Sequence, residues 1–134
     1  MGGMLKLDVA TGPRGRVVIM GSITQATDAE TGCLVVSASH GGVSSAEYAL
    51  AVPLALAVFN DAGVGKDGAG IAALGLLQAH GRAALAVGHT SARIGDAQDS
   101  WDNGVVSHVN DAARGLGLQP GDRLNEALRR LVGA

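Results

Sequence analysis

Leu54 to Phe59 reads Leu-Ala-Leu-Ala-Val-Phe, six apolar residues with no polar position between them. A strand wetted on one face alternates apolar with polar residues. An unbroken run of this length, preceded by Pro53, suits a strand buried on both faces of a parallel sheet. Ala83 to Gly88 supplies a second apolar strand, and Cys33 to Ser39 a third. Each ends in a polar, glycine-bearing turn: Ser39-His40-Gly41-Gly42, Asn60-Asp61-Ala62-Gly63-Val64-Gly65-Lys66-Asp67, and His89-Thr90-Ser91-Ala92-Arg93-Ile94-Gly95-Asp96. In an open α/β sheet, ligands bind outside the carboxyl ends of the strands. Three such ends carrying His, Asp, Lys and Arg therefore predict one shared site.

The rest of the chain frames these strands. Leu5, Leu7 and Val9 alternate with Lys6 and Asp8, and after Thr11-Gly12-Pro13-Arg14-Gly15 the β-branched stretch Arg16 to Thr24 completes an N-terminal antiparallel hairpin. Gln25 to Gly32 is a polar turn, and Cys33 to Ser39 is expected to return antiparallel to its predecessor. Ser44 to Ala51 makes a short helix capped by Ser44 or Ser45. A second helix is expected from Asp67 or Gly68 to His80, closed by Gly81. Its Ala69, Gly70, Ala72, Ala73 and Gly75 would let other backbones approach closely, including those of a second subunit. Trp101, Val105, Val109, Ala112 and Leu116 recur at helical spacing and predict one helix from about Asp96 to Gly115 or Gly117, with His108 on its apolar side. A last helix follows Pro120-Gly121, with Asp122 as cap and Leu124, Leu128 and Leu131 as its buried stripe. The expected fold is one domain, residues 1–134, of three-layer α/β/α class with a mixed, mainly parallel central sheet.

Composition removes several functions. A net charge of −2, with one Trp, one Tyr and one Phe, offers neither a basic patch nor an aromatic platform, so nucleic acid is not an expected partner. The longest uncharged apolar run, Tyr48 to Phe59, is broken by Pro53 and falls short of the roughly 20 residues a spanning helix needs, so no membrane partner is expected. A single cysteine and a start without signal-peptide character predict a cytoplasmic location.

The strand-end residues divide by chemistry. Ser39-His40-Gly41 resembles half of the caspase-type His–Cys dyad. However, Cys33 lies seven residues upstream on the same strand, about 23 Å away at about 3.3 Å per residue. Cysteine-peptidase chemistry is excluded, and Cys33 is read as a core residue. Gly63-Val64-Gly65-Lys66 resembles a phosphate-binding P-loop, but Asn60 stands where the first glycine belongs and Asp67 replaces the magnesium-holding Ser or Thr. The plainer reading is a tight turn with Asp67 capping a helix. GxSxG is absent. His80 at a helix end complements the dipole.

The remaining groups combine into one expected site. His40 is the general base, Asp61 its orienting carboxylate or a metal ligand, and His89 the second acid/base. Gly41, Gly42, Asn60, Lys66, Ser91, Arg93 and Asp96 would bind substrate: the Gly41-Gly42 backbone through N–H groups freed by positive φ, and Arg93 as a bidentate clamp on a carboxylate. Asp96 and Asp99 also suit helix capping. Two histidines and a carboxylate are ligands for a divalent metal, although no HxxxH or HExxH spacing calls for one, so metal is not the favoured reading and the cofactor is left open. The function expected is an enzyme acting on a small anionic metabolite by hydrolase, lyase or isomerase chemistry, in a homo-oligomer. The alternatives are a non-catalytic small-molecule-binding or regulatory subunit, and a structural homo-oligomer without an active site.

Overall fold

The computed structural model describes residues 5–134 and sets six strands side by side in chain order. β1 (Lys6–Gly12) and β2 (Gly15–Met20) form the expected hairpin. β3 (Leu34–His40), β4 (Leu56–Asn60) and β5 (Ala84–Val87) follow in parallel, and β6 (Val106–Val109) closes the sheet antiparallel to β5. The helices are α1 (Val43–Leu50), α2 (Ala72–Gln78), α3 (Ala97–Asn103), α4 (Asp111–Gly115) and α5 (Leu124–Val132). None is long and apolar enough to cross a membrane.

Both faces of the sheet are covered, which is why Leu54 to Phe59 has no polar alternation. Val18, Met20, Val35, Ala57, Phe59 and Ala86 meet α1 and α2 through Ala46, Ala49, Ala73, Leu74 and Leu77. Val17, Ile19, Val36, Val58, Leu85 and Val87 meet α3 and α5 through Ala97, Trp101, Leu124, Leu128 and Val132. The three-layer α/β/α architecture with an N-terminal antiparallel hairpin is thus present. Burying each of the larger side chains contributes about 2 kcal/mol, so the two layers supply most of the drive to fold.

Four local expectations are corrected. β3 runs parallel to β2, not antiparallel. The connection between them is long enough to cross over because it winds through two 3-10 turns, Ile23–Gln25 and Asp28–Glu30, each opened by a capping box from Ser22 or Thr27. α1 begins at Val43 with Gly42 as its N-cap, and the Ser45 hydroxyl instead donates to the His40 carbonyl at 2.7 Å. The helix expected from Asp67 to His80 is a 3-10 segment, Lys66–Ile71, followed by α2. Asp67 lies at φ 57° inside that segment and does not cap it. The long helix expected after Asp96 is α3, then β6, then α4. Gly104 stops α3: a Cβ there would collide with the Ser100 carbonyl, and at ψ 136° the backbone turns out of the helix into the β-branched run that follows.

The chain changes sides between β4 and β5. α2 leaves the end of β4 for one face, whereas α3 leaves the end of β5 for the other. Two adjacent parallel strands whose connections diverge in this way open a crevice between their carboxyl ends.

Candidate functional site

Asp61 and His89 meet in that crevice. The Asp61 N–H still donates to the Val87 carbonyl at 2.9 Å, so the residue is held to β5 beyond the last paired position of β4. Its carboxylate is buried, the residue being 5% exposed. Oδ1 accepts from the Gly63 N–H at 2.8 Å and the His89 N–H at 3.1 Å, and the His89 ring nitrogen Nδ1 lies 3.3 Å from the same oxygen. Oδ2 faces His108, whose Nδ1 is 4.0 Å away. Burial by itself raises the Asp61 pKa. The Gly63 N–H, the Ser107 hydroxyl, the His89 N–H and the His89 ring together outweigh it and hold the group below the ordinary aspartate value. The result is an ionised, fixed acceptor in a nearly dry position. A carboxylate so placed, receiving Nδ1–H of an imidazole, selects one tautomer and leaves Nε2 as the basic nitrogen.

The loop after Asp61 makes this placement possible. Ala62, Val64 and Asp67 have φ of 51°, 68° and 57°, the only non-glycine residues at positive φ among those described, with Gly63 and Gly65 at 77° and 74° between them. For a β-branched residue such as Val64 this is a strained conformation. The loop holds it by turning back on itself: the Val64 N–H donates to the Asp61 carbonyl at 2.7 Å and the Gly70 N–H to the Val64 carbonyl at 2.6 Å. Gly70 is the closing point, because a Cβ on it would collide with the Asp61 carbonyl oxygen.

β6 brings the other side of the site. Val87 pairs with Val106 and Ala86 with His108, which leaves Ser107 as an extra residue in the strand. In a regular strand, residues 107 and 108 point to opposite faces. The bulge removes that alternation: the Ser107 Oγ lies 3.0 Å from His108 Nδ1, and both side chains are directed at Asp61.

An open cleft of about 280 Å³ lies beside the dyad, lined by His89, Thr90, Ser91, Ala92, Arg93 and Asp99. His89 is exposed to it. The Arg93 backbone N–H donates to Asp99 Oδ2 at 2.7 Å, whereas its guanidinium forms no salt bridge among the described residues. His89 and Arg93, expected together from the turn after the third apolar strand, share one wall of this cleft.

The other residues expected at the site are placed as follows. His40 ends β3 at the same edge of the sheet, next to Asn60, but its ring folds over Gly42, and no hydrogen bond or ion pair joins it to Asp61 or His89 among the described residues. Asn60 is fully buried and occupied: Nδ2 donates to the Ala92 carbonyl at 2.9 Å and Oδ1 accepts from the Ala62 N–H at 2.8 Å, tying the β4 and β5 turns together. The Ser91 hydroxyl donates to the Gly88 carbonyl at 2.8 Å and accepts from the Val105 N–H at 2.9 Å, a bridge between the β5 turn and the start of β6. Gly41 and Gly42 are not at positive φ, and their N–H groups donate to the carbonyls of Asn60 and His40. The close approach of Gly41 to the Gly70 carbonyl, 2.7 Å from a hypothetical Cβ, accounts for a glycine at 41. Lys66 is exposed at the start of its 3-10 segment and makes no salt bridge among the described residues. Asp96 caps α3, accepting from the Asp99 N–H at 2.9 Å. Cys33 is buried, and burial pushes its thiol above the ordinary value, as befits a core residue.

Ser107 and His108 are the members of the site that sequence reasoning placed elsewhere. The signal was present in Gly104-Val105-Val106-Ser107-His108-Val109, a glycine followed by a β-branched run, but the helical spacing of the neighbouring apolar residues masked it. No group of three His, Cys, Asp or Glu side chains is set to hold a metal ion among the described residues. Comparison with protein-family models, curated proteins and solved structures finds no match to this chain.

Proposed function

We propose that the protein is an enzyme acting on a small anionic metabolite by acid–base chemistry of the hydrolase, lyase or isomerase kind. His89 is the proton-transferring group, in the role sequence reasoning assigned first to His40. The observation that carries this reading is the Asp61–His89 contact at the point where the connections of β4 and β5 diverge. Asp61 fixes the ring through Nδ1 and Oδ1, 3.3 Å apart, and Nε2 is left to take a proton from a bound molecule and return it. The guanidinium of Arg93 on the same cleft wall supplies the charge and planar geometry that grip a carboxylate. Ser91 and Asn60 are engaged in holding the turns, so they support the site from behind instead of touching substrate.

Malonate serves as a probe of the class. It is expected to bind saturably and shift the NMR signals of the His89 ring and the Arg93 side chain, and Arg93→Ala is expected to weaken it about tenfold, the loss of one charge-assisted bidentate contact. In D2O, wild-type protein is expected to exchange carbon-bound protons or turn over a member of a panel of small oxo- and hydroxy-carboxylic acids, with the activity lost in His89→Gln. Binding without any turnover across the panel would favour the non-catalytic binding subunit. Absence of saturable malonate binding would remove the anion site altogether.

A further inference from the structure

Asp61 presents two oxygens to two imidazoles. Oδ1 lies 3.3 Å from His89 Nδ1 and Oδ2 lies 4.0 Å from His108 Nδ1. The second arrangement is built and not incidental. The unpaired residue of β6 turns Ser107 and His108 to the same side, and the Ser107 hydroxyl, 3.0 Å from His108 Nδ1 and directed at the carboxylate, fills the gap left by the longer distance. The Ala86 carbonyl of β5, 3.3 Å from the Ser107 hydroxyl, is the alternative acceptor for its one proton. His108 is not among the residues that line the cleft, and its side chain is 39% exposed.

We infer that His108 is a positioning residue of the site: through Ser107 and Asp61 it governs how firmly the carboxylate holds His89, so that the two imidazoles compete for one negative charge. The inference rests on the reading of His89 as the proton-transferring group and adds its regulation. One carboxylate balances one imidazolium; two protonated rings around it repel each other across a poorly hydrated space. Protonation of His108 draws Oδ2 toward β6 and weakens the orientation of His89. With His108 neutral, Asp61 is available to His89 alone. When His89 accepts a proton from substrate, the imidazolium so formed is balanced by Asp61 alone, because His108 is neutral in that state. The titratable groups facing this arrangement are Asp61 just past the end of β4, His89 from the loop after β5 and His108 itself from β6, with Arg93 and Asp99 farther along the cleft.

The test follows the histidine ring signals by NMR through a pH titration of wild-type protein, His108→Gln and Ser107→Ala. In wild type the His89 curve is expected to be broader than a single-site titration. In His108→Gln it should narrow to that of a single site, because the second imidazole on the carboxylate is gone. Ser107→Ala, which keeps both rings, should weaken the coupling without abolishing it. A His89 curve superimposable on wild type in both variants overturns the inference. Malonate binding is measured on the same samples: unchanged binding with no coupling sinks the role of His108 alone, whereas absence of binding to wild type sinks the cleft reading on which it rests.

Discussion

Asp61→Ala is expected to lower the free energy of unfolding by about 3 kcal/mol, because it leaves the Gly63 and His89 N–H groups without their acceptor in a nearly buried position. Asp61→Asn keeps an acceptor oxygen for those donors and should cost about 1 kcal/mol, although it turns the amide NH2, a donor, toward Ser107 and His108. The pH dependence separates charge from shape. Asp61 is held below the ordinary value, so its ionisation contributes stability that is fully present above the unfolded-state pKa of about 3.9 and is lost as pH falls through the lowered folded value. Urea unfolding at pH 7 and at pH 3 measures both effects. The stability difference between wild type and Asp61→Asn should shrink at the lower pH, and a difference independent of pH would mean that the carboxylate charge contributes nothing.

Gly70→Ala is the second large effect, and it acts through backbone alone. The added methyl would occupy the position of the Asp61 carbonyl oxygen and crowd that of Val64, two groups already bonded within the loop. Relief requires moving the strained segment from Ala62 to Asp67, so the expected cost is about 3 kcal/mol, at the upper end of overpacking effects. Gly75→Ala in α2 is the matched control. Nothing lies within 4 Å of its hypothetical Cβ, and alanine there should stabilise the helix by about 0.5–1 kcal/mol. Thermal unfolding of the two variants therefore should move in opposite directions. Equal destabilisation would show that α2 and the loop respond to bulk in general, not to the contact at Gly70.

The two glycines also mark where sequence reasoning stops. Small residues in Asp67–His80 suggested close approach along a whole helix, yet of its glycines only Gly70 has that approach, and it lies before α2 begins. Composition shows that backbones can come near, and only coordinates show which do. The central strands were legible because Leu54–Phe59 and Ala83–Gly88 carry a burial pattern that few other structures tolerate, and the hairpin because its alternation and turn are local. The parallel pairing of β2 with β3 was not legible, since the crossover uses two 3-10 turns in place of a helix. Their capping boxes, Ser22-Ile23-Thr24-Gln25 and Thr27-Asp28-Ala29-Glu30, are readable in retrospect as turn starts. β6 was hidden because a four-residue strand offers too few alternations to compete with Trp101, Val105, Val109 and Ala112 at helical spacing.

The same limit shaped the site. Strand ends placed His40, Asp61 and His89 at one edge of the sheet, and the turns after β4 and β5 proved to be the ones that meet. Which histidine Asp61 would hold depended on where the helices change sides, a property of the whole fold. The strand that brings His108 was absent from the expected topology, so its ring was assigned to a helix face. Asn60 and Ser91 illustrate the converse: polar residues at a strand end that bind the turns of the protein itself.

Orientation of His89 by Asp61 is read directly from the tautomer of that ring. Long-range proton–nitrogen NMR at a pH where the imidazole is neutral distinguishes a proton on Nδ1 from one on Nε2. The geometry predicts the Nδ1–H form in wild type, with the Nε2–H fraction rising in Asp61→Ala. A neutral His89 carrying its proton on Nε2 in the wild-type protein would mean that Asp61 does not orient the ring.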